Sequence, residues 1–492
     1  MNVHFHPKRA ALVLAASVTL VFLMVYNLVL DTGLIPGASP ETDQRTASVT
    51  RIAKRRISVE GQIQDRNGTP ITQPLGPGEG ATLLYPEAYS HLIGFNSPVY
   101  GVSGLRRTLQ DDLFNDKKDN IGADVTLTID NALQNYCYSQ LGDNEGSVIV
   151  MNAHTGALLA CTSRSSPDIV YDINIVDNYD DRNGNGRFDE DSEERMYQIY
   201  AKYDAFFYNR SIYSADPSGS TFKIFTGAAM IENGLASYTM DDMDGTLRVG
   251  DGIVRNVETQ NGIMALGRNV SMAQAMKYSS NVYFASGALQ LGNTAMQNMA
   301  HRFLLDQPIE LDFTTLEANF ELVEGDAKLL ADTGYGQGRL MVSPLHIVMM
   351  MSAVMNDGQM MKPYLVETVT NNGKTVRQAT PEPAYPYTVN GDEKIYDETP
   401  TISSQTAEIL KGHLHETALR YGLTPQNYGQ IYAKTGTAEL GIGQGNHIYV
   451  LAGIDNTVWG DLIVLIDRDH VQSDSGALLP AMKNILSYIA TA

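Results

Sequence analysis

The chain has 492 residues, of which 43% are hydrophobic, and a formal net charge of −21 at pH 7. This hydrophobic content is enough for a large folded core, and the length predicts two or three structural units. The strong negative charge argues against nucleic acids and anionic membrane surfaces as partners, because both would be repelled.

The first element along the chain is an apolar run, residues 10–30. Its length matches the roughly 20 residues that a helix needs to cross a bilayer core. Lys8 and Arg9 precede the run and Asp31 follows it, a polarity that keeps the short tail inside the cell. The sequence therefore predicts a cytoplasmic tail (residues 1–9), a single transmembrane helix in the cell membrane and an extracytoplasmic body. A cleaved signal peptide is the alternative, but the run is longer than a typical signal core.

Composition divides the rest of the chain into three parts. Residues 31–50 are a polar linker, and residues 51–122 form a small membrane-proximal region with many glycines. The main domain spans residues 123–492.

Hydrophobic patterns at the two ends of the main domain predict matching elements. The predicted elements are a helix at 131–141, strands at 147–152 and 158–162, strands at 448–454 and 461–466, and a closing helix at 477–491. Strands at both ends with helices between them predict an α+β fold, with one antiparallel sheet closed by the two chain ends.

The chain has two cysteines, Cys137 and Cys161. The first falls in a helical pattern and the second at a strand end, so we expect buried free thiols. A disulfide between them is the alternative in an oxidising compartment.

An acidic, glycine-rich insertion occupies residues 177–191. The spacing of its oxygen-bearing side chains matches the early part of a calcium loop: Asp181, Asn183, Asn185 and Asp189. Ser192 stands where such a loop has its bidentate glutamate. A solvated acidic loop is therefore the favoured interpretation, and no metal site is predicted.

Ser220 and Lys223 stand three residues apart, just ahead of an apolar run at 224–230 that predicts a buried helix. This spacing places both side chains on one helix face, about one turn apart. A lysine whose pKa is lowered by burial or by nearby positive charge can take the serine proton and activate the hydroxyl. Unpaired N–H groups at the first turn of a helix can stabilise an oxyanion. A capped, solvated helix start is the alternative for such a pair standing alone.

Two later segments favour the catalytic pair over the capped helix start. Ser279-Ser280-Asn281 follows a helical stretch, and Lys434-Thr435-Gly436-Thr437 lies in a stretch that alternates weakly like a strand. Taken singly, the first could be a helix cap and the second a surface lysine. Together with Ser-x-x-Lys, they form the signature of penicillin-binding proteins and the related β-lactamases.

The resemblance extends over most of the chain from about residue 55 onward. Further similar segments lie at 60–68, 124–130, 133–134, 146–150, 155–160, 209–210, 336–338, 343–345, 356–358 and 362–363. The chain resembles the class B monofunctional penicillin-binding proteins of the penicillin-binding protein A type. The region 51–122 is too short for the glycosyltransferase domain that bifunctional members carry. Two residues depart from the family pattern: Glu60 stands in place of arginine, and Ser218 in place of proline, where we expect only the entry turn to change.

This resemblance implies a fold and a reaction. The fold is that of penicillin-binding transpeptidases and serine β-lactamases, an antiparallel sheet flanked by helices plus a helical subdomain. The reaction is the cross-linking of peptidoglycan: a serine attacks the D-Ala-D-Ala end of a donor stem peptide, D-alanine leaves, and an acceptor amine resolves the acyl-enzyme. β-Lactams mimic the peptide end and bind the same serine covalently. No cofactor is implied.

The family motifs also imply roles for individual residues. Ser220 would be the nucleophile, and Lys223 the base, kept neutral by the positive field of Lys434. Ser279 would relay a proton to the leaving amine, and Asn281 would hold the lysine and a substrate amide.

The strand that carries Lys434 would lie at a sheet edge, where an extended peptide can join it. Gly436 would leave room for that approach. Lys434 with the Thr435 or Thr437 hydroxyl would bind the substrate carboxylate, and the N–H groups of Ser220 and Thr437 would form the oxyanion hole.

Other interpretations of the same motifs remain open. A D,D-carboxypeptidase would let water resolve the acyl-enzyme, and a β-lactamase or β-lactam sensor would share the three motifs. A non-catalytic scaffold of a wall-synthesis complex is the alternative of a different class, and the intact motifs argue against it. The resemblance further implies a partner, a membrane glycosyltransferase of the shape, elongation, division and sporulation family.

Overall fold

The structure, a computed structural model, describes residues 50–97, 101–114, 120–165, 208–313, 315–390, 393–424, 429–441 and 443–491. The predicted cytoplasmic tail, transmembrane helix and acidic insertion lie outside these ranges. Among the described residues, no helix has both the length and the apolar character that a membrane span requires.

The strands are β1 Ile63–Gln64, β2 Thr72–Pro74, β3 Ala81–Leu83, β4 Asn96–Ser97, β5 Gly101–Val102, β6 Asp124–Leu127, β7 Gly146–Asn152, β8 Leu158–Arg164, β9 Thr239–Asp242, β10 Thr246–Val249, β11 Gly252–Arg255, β12 Glu258–Thr259, β13 Gly262–Ile263, β14 Gly267–Ser271, β15 Val366–Asn371, β16 Lys374–Gln378, β17 Tyr387–Asn390, β18 Glu393–Tyr396, β19 Ile431–Glu439, β20 Asn446–Thr457 and β21 Gly460–Val471.

The helices are α1 (residues 50–57), α2 Pro86–Ile93, α3 Gly104–Thr108, α4 Gln110–Leu113, α5 Asn131–Gln140, α6 Arg210–Tyr213, α7 Lys223–Glu232, α8 Met272–Tyr278, α9 Asn281–Arg302, α10 Ala327–Thr333, α11 Pro344–Met355, α12 Ser404–Arg420 and α13 Leu479–Thr491. Two 3-10 turns, Gly219–Phe222 and Ser475–Leu478, lead into α7 and α13.

The main domain is built on one five-stranded antiparallel sheet in the order β19-β20-β21-β7-β8. Strands from the two ends of the domain meet where β21 pairs with β7, with Leu465 opposite Ile149. The predicted sheet closed by both chain ends is therefore confirmed. The strand with the Lys-Thr-Gly segment, β19, lies at one edge of the sheet, also as predicted.

Alternate residues of the sheet face two separate cores, because successive side chains of a strand point to opposite faces. Val150 and Val464 face a core completed by α5 and α13, whereas Ile149 and Leu465 face a larger core that includes α11. The sheet is therefore the middle of three layers, and its edge strand β19 is held rigidly from both sides.

The two cysteines lie on opposite faces of this sheet, Cys137 in the smaller core and Cys161 in the larger one. Both are free and buried, so the expectation of unpaired thiols is confirmed. Burial raises the pKa of Cys161 to about 12, which keeps its thiol protonated and unreactive.

A second sheet, in the order β1-β6-β15-β16, joins the N-terminal region, residues 51–122, to the main domain. Asp65 accepts hydrogen bonds from the N–H groups of Thr69 at 2.7 Å and of Asn131 at 3.0 Å, and so ties a turn to the start of α5. A Cβ at Gly61 would lie 1.9 Å from the Ala123 carbonyl oxygen, so only glycine fits there. The segment 60–68 therefore fixes the N-terminal region to the main domain.

Glu60, the first departure from the family pattern, forms an ion pair with Arg106. Both side chains are fully buried, and Arg106 Nε donates to Glu60 Oε1 at 2.8 Å. The other guanidinium nitrogens donate to the carbonyl oxygens of Gly94 at 3.1 Å and of Ala81 at 2.6 Å. Because a buried charge is tolerated only when it is paired, Arg106 requires a carboxylate at position 60.

We predict that Glu60→Arg, which restores the usual residue of the family, destabilises this protein more than Glu60→Ala. Removing one partner of a buried ion pair costs ~3–5 kcal/mol, and a second guanidinium adds repulsion. Denaturant unfolding of each variant measures the effect. Glu408→Arg makes the same charge change at an exposed position of α12 and should shift the free energy of unfolding by less than ~0.5 kcal/mol. A Glu60→Arg protein as stable as the parent would contradict the pairing.

Candidate active site

Ser220 lies half-buried in the 3-10 turn Gly219–Phe222, which runs directly into the buried helix α7. The N–H of Gly219 donates to the Gly336 carbonyl oxygen at 3.0 Å. A Cβ at Gly336, whose φ is +89°, would lie 1.8 Å from the Gly219 carbonyl oxygen, so only glycine fits. The Gly-Gln-Gly segment at 336–338 therefore cradles the turn that presents Ser220.

The second departure, Ser218, has φ −74° and ψ −9°. Proline adopts the same φ, so serine preserves the backbone course that the family residue would give. The side chain is fully buried, and its Oγ has no hydrogen-bond partner among the described residues. The Thr221 hydroxyl donates to the Ser218 carbonyl oxygen at 2.8 Å and closes the turn.

Lys223 is fully buried, and its Nζ contacts four oxygens: Ser220 Oγ at 2.8 Å, Ser279 O at 2.7 Å, Ser279 Oγ at 3.1 Å and Asn281 Oδ1 at 2.7 Å. Burial, and then the positive charge of Lys434, lower the pKa of Lys223 well below its ordinary value. A neutral amine has two N–H donors and one lone pair. The carbonyl oxygens of Ser279 and Asn281 can only accept, so they take the two N–H groups and the lone pair faces the Ser220 hydroxyl.

The orientation of the Asn281 amide is set by its other end, because Nδ2 donates to the Arg255 carbonyl oxygen at 2.9 Å. Its Oδ1 therefore faces Lys223, which fits the first half of the predicted role. The second half, a hydrogen bond from this amide to a substrate, competes with the bond to Arg255.

The Ser-Ser-Asn segment is a bend between two helices. Ser279 has φ 58° and ψ 43° at the end of α8, and Ser280 caps α9 by accepting from the Tyr283 N–H at 3.1 Å. The Ser280 hydroxyl donates to Asn256 Oδ1 at 3.0 Å, and the Val282 N–H donates to the same oxygen at 3.1 Å. Asn256 thus holds the bend in shape, although no sequence motif marked it.

Lys434 is also fully buried, and burial lowers its pKa. Its Nζ donates to Ser279 Oγ at 2.9 Å and to the Thr435 carbonyl oxygen at 2.9 Å. The Ser279 hydroxyl therefore lies between the two lysines, in reach of both, where a proton relay has to stand.

The two threonines of the third segment have partners outside the predicted motifs. The Thr435 hydroxyl donates to the Tyr421 hydroxyl at 2.9 Å. The Thr437 hydroxyl donates to Ser475 Oγ at 3.2 Å and accepts from the Ser475 N–H at 3.1 Å. Both threonines are half-buried at the cleft side of β19.

The reason given for Gly436 has to be corrected. A Cβ at this position would lie 2.8 Å from the Ser218 carbonyl oxygen and 3.0 Å from Thr221 Cγ2. The space that the glycine leaves is therefore filled by the turn that carries the nucleophile, and not by an incoming strand.

Thr437 packs directly against the residue before Ser220. A Cβ at Gly219, whose φ is +53°, would lie 3.0 Å from the Thr437 nitrogen. An oxyanion hole built from the N–H groups of Ser220 and Thr437 requires this close approach of the two backbones. The two chain segments that would form the hole are thus in contact.

A buried ion cluster supports the entry to this turn. His447 Nδ1 lies 3.1 Å from Asp216 Oδ2, and Nε2 lies 3.0 Å from Asp467 Oδ2. Burial alone would lower the pKa of His447, but the two carboxylates outweigh it and raise the pKa to about 10. The Tyr449 ring stacks on the imidazole at 4.3 Å, and its hydroxyl donates to the Pro217 carbonyl oxygen at 3.2 Å.

The same cluster places ligand-type atoms of Asp216, His447 and Asp469 within 4.8 Å of one another. A metal ion would have to displace the imidazole proton, and Arg210 Nη1 already donates to Asp469 Oδ2 at 2.7 Å. We therefore interpret the cluster as an ion-pair network that positions the turn.

Comparison with known proteins gives a consistent result. The family model of the penicillin binding protein transpeptidase domain matches residues 146–486. The chain is 25% identical over 424 residues to the peptidoglycan D,D-transpeptidase PbpA of Mycolicibacterium smegmatis, with 80% of each chain covered. It is 27% identical over 382 residues to PbpA of Mycobacterium tuberculosis, with 72% of each covered.

Solved structures show a similar fold. The crystal structure of PBPA from Mycobacterium tuberculosis has a TM-score of 0.73 at 21% identity and covers 88% of this chain and 100% of its own. The penicillin G acyl-enzyme complex of penicillin-binding protein A from M. tuberculosis has a TM-score of 0.72 at 21% identity and covers 87% and 99%. These likenesses bear on the fold alone.

Proposed function

Because this chain belongs to the penicillin-binding protein transpeptidase family, we propose that it is a peptidoglycan D,D-transpeptidase that works through an acyl-enzyme on Ser220. The observation that carries the proposal is the contact between the buried Lys223 amine and the Ser220 hydroxyl, at 2.8 Å. Both N–H groups of the neutral amine donate to other acceptors, the Ser279 carbonyl oxygen and Asn281 Oδ1. The lone pair of the amine is therefore free to accept the proton of the Ser220 hydroxyl. The activity named for the PbpA relatives supports this assignment.

In the acylation step, Lys223 takes the proton of Ser220 as Oγ attacks the carbonyl carbon of the penultimate D-alanine. The N–H groups of Ser220 and Thr437 stabilise the oxyanion. When the intermediate collapses, the C–N bond breaks and the leaving D-alanine amine receives a proton through Ser279. The enzyme is left as an ester on Ser220, and Lys223 is neutral again.

Deacylation reverses these roles. An acceptor amine attacks the ester carbon, loses its proton to the same relay and releases Ser220. With water in place of the amine, the same residues would give D,D-carboxypeptidase activity. A β-lactam follows the acylation path only, because its leaving amine stays attached to the acyl group, and the adduct persists.

The labelling of Ser220 by a fluorescent penicillin tests this proposal. We expect added mass on the tryptic peptide that contains Ser220, and complete loss of labelling in Ser220→Ala, whose circular dichroism should match the parent. Ser139→Ala, a change at an exposed serine of α5, should label normally. Labelling that persists in Ser220→Ala at full stoichiometry would contradict the assignment.

We also propose that residues 10–30 anchor the protein in the cell membrane, with the catalytic domain outside and a membrane glycosyltransferase of the shape, elongation, division and sporulation family as a partner. The apolar run and its charged flanks support the anchor, and the family resemblance supports the partner.

A topology reporter tests the anchor. A reporter enzyme that is active only outside the cytoplasm should work when it is fused after residue 492, and N-terminal sequencing should recover Met1 or the residue after it. A mature N-terminus near residue 35, or an inactive reporter, would contradict the anchor.

A further inference from the structure

The first observation is that most N–H donors of Lys434 are already bound within the protein. An ammonium group has three N–H donors. Two are bound by Ser279 Oγ and the Thr435 carbonyl oxygen, both at 2.9 Å. In this arrangement only one N–H group of the cation is left for the predicted carboxylate site.

The second observation is an exposed cation at the mouth of the same cleft. Arg420 ends α12, and within the described ranges its guanidinium makes no ion pair. Its Cζ lies 5.0 Å from the centroid of the Tyr278 ring and 5.9 Å from that of the Tyr421 ring. Tyr278 directly precedes Ser279, and Tyr421 binds Thr435, so the guanidinium bridges the two walls of the cleft.

The wall that carries Arg420 is held in place. Lys277 of α8 and Glu416 of α12 form an ion pair at 3.0 Å, which joins the ends of these two helices. Stacking between two tyrosine rings further limits the rotamers of Arg420. The cation is therefore preorganised, although no carboxylate in the described part of the chain pairs with it.

We propose that Arg420 is a specificity-determining residue that binds the terminal carboxylate of the donor stem peptide, while Tyr421 orients the Thr435 hydroxyl beside it. This inference rests on the proposed function and adds the recognition of the substrate anion. A guanidinium suits the task because its planar fork matches a carboxylate with two N–H groups. An attracting group is needed because the protein carries a net charge of −21, which repels anionic substrates at long range.

The chemistry of Tyr421 agrees with a positive field at this place. Burial would raise the pKa of its phenol, but the positive charge of Lys434, the hydrogen bond from Thr435 and the charge of Arg420 outweigh burial and lower it. A carboxylate at the same position would be stabilised by the same charges.

Two matched probes test the proposal: benzylpenicillin, which has a free carboxylate, and its methyl ester, which does not. The second-order rate of Ser220 acylation is measured for each by intact-protein mass spectrometry. We expect Arg420→Ala to slow acylation by benzylpenicillin about tenfold or more, the effect of one charged hydrogen bond, and to leave the ester unaffected. Arg420→Lys, which keeps the charge but loses the planar fork, should restore only part of the rate, and added salt should reduce the difference between Arg420→Ala and the parent.

Arg56→Ala is the matched control, because it removes an exposed positive charge in α1, within the N-terminal region. It should change neither rate. If Arg420→Ala slows acylation equally with both probes, or with neither, the inference is overturned. The proposed function still stands in that case, provided that the parent protein is acylated. A parent protein that neither probe acylates would overturn the proposed function itself.

Discussion

The amine of Lys223 has to remain unprotonated near neutral pH, and most features of the active site serve that requirement. Full burial removes the water that would stabilise an ammonium, and a second buried lysine, Lys434, adds repulsion. A lysine with a lowered pKa costs folding stability at every pH below its ordinary pKa, and the cost grows until the pH falls to the lowered value. The two large cores around the central sheet offset this cost.

The requirement also explains why the three motifs come from separate elements. Lys223 starts α7, Ser279 and Asn281 stand on a bend between two helices, and Lys434 lies on an edge strand. Each element has its own support: Gly336 cradles the first, Asn256 holds the second, and both cores pack against the third. Because an oxygen of Ser279 contacts both lysines, a shift of any one element would disturb the proton path.

Much of the fold could be predicted from the sequence, because strands of the central sheet are continuous apolar runs with clear ends. The predicted strand 147–152 is observed as Gly146–Asn152, and the predicted 448–454 as the longer Asn446–Thr457. The extra residues of the latter are all polar, and one of them, His447, is fully buried in the ion cluster, which hydrophobicity does not register. The site motifs were found because their residue types and order are specific.

The remaining features depend on contacts between distant residues, which a single sequence does not reveal. Tyr421 and Asn256 belong to no motif, and only the fold brings them to Thr435 and Ser280. The partner of Glu60 lies 46 positions away, at Arg106. The neighbour of Gly436 cannot be predicted from the sequence, because a glycine in an edge strand indicates a close approach without indicating what approaches.

The most direct test of the account is the titration of the Lys223 side chain. Nitrogen-15 NMR of protein labelled at lysine Nζ should contain a resonance that is absent in Lys223→Arg and has the chemical shift of a neutral amine at pH 7. In Lys434→Ala the same resonance should become an ammonium signal at a higher pH than in the parent, because the neighbouring positive charge is gone. Lys374→Ala, which removes an exposed lysine of β16, serves as the control. A Lys223 resonance that stays an ammonium signal from pH 7 to pH 9 would contradict the account.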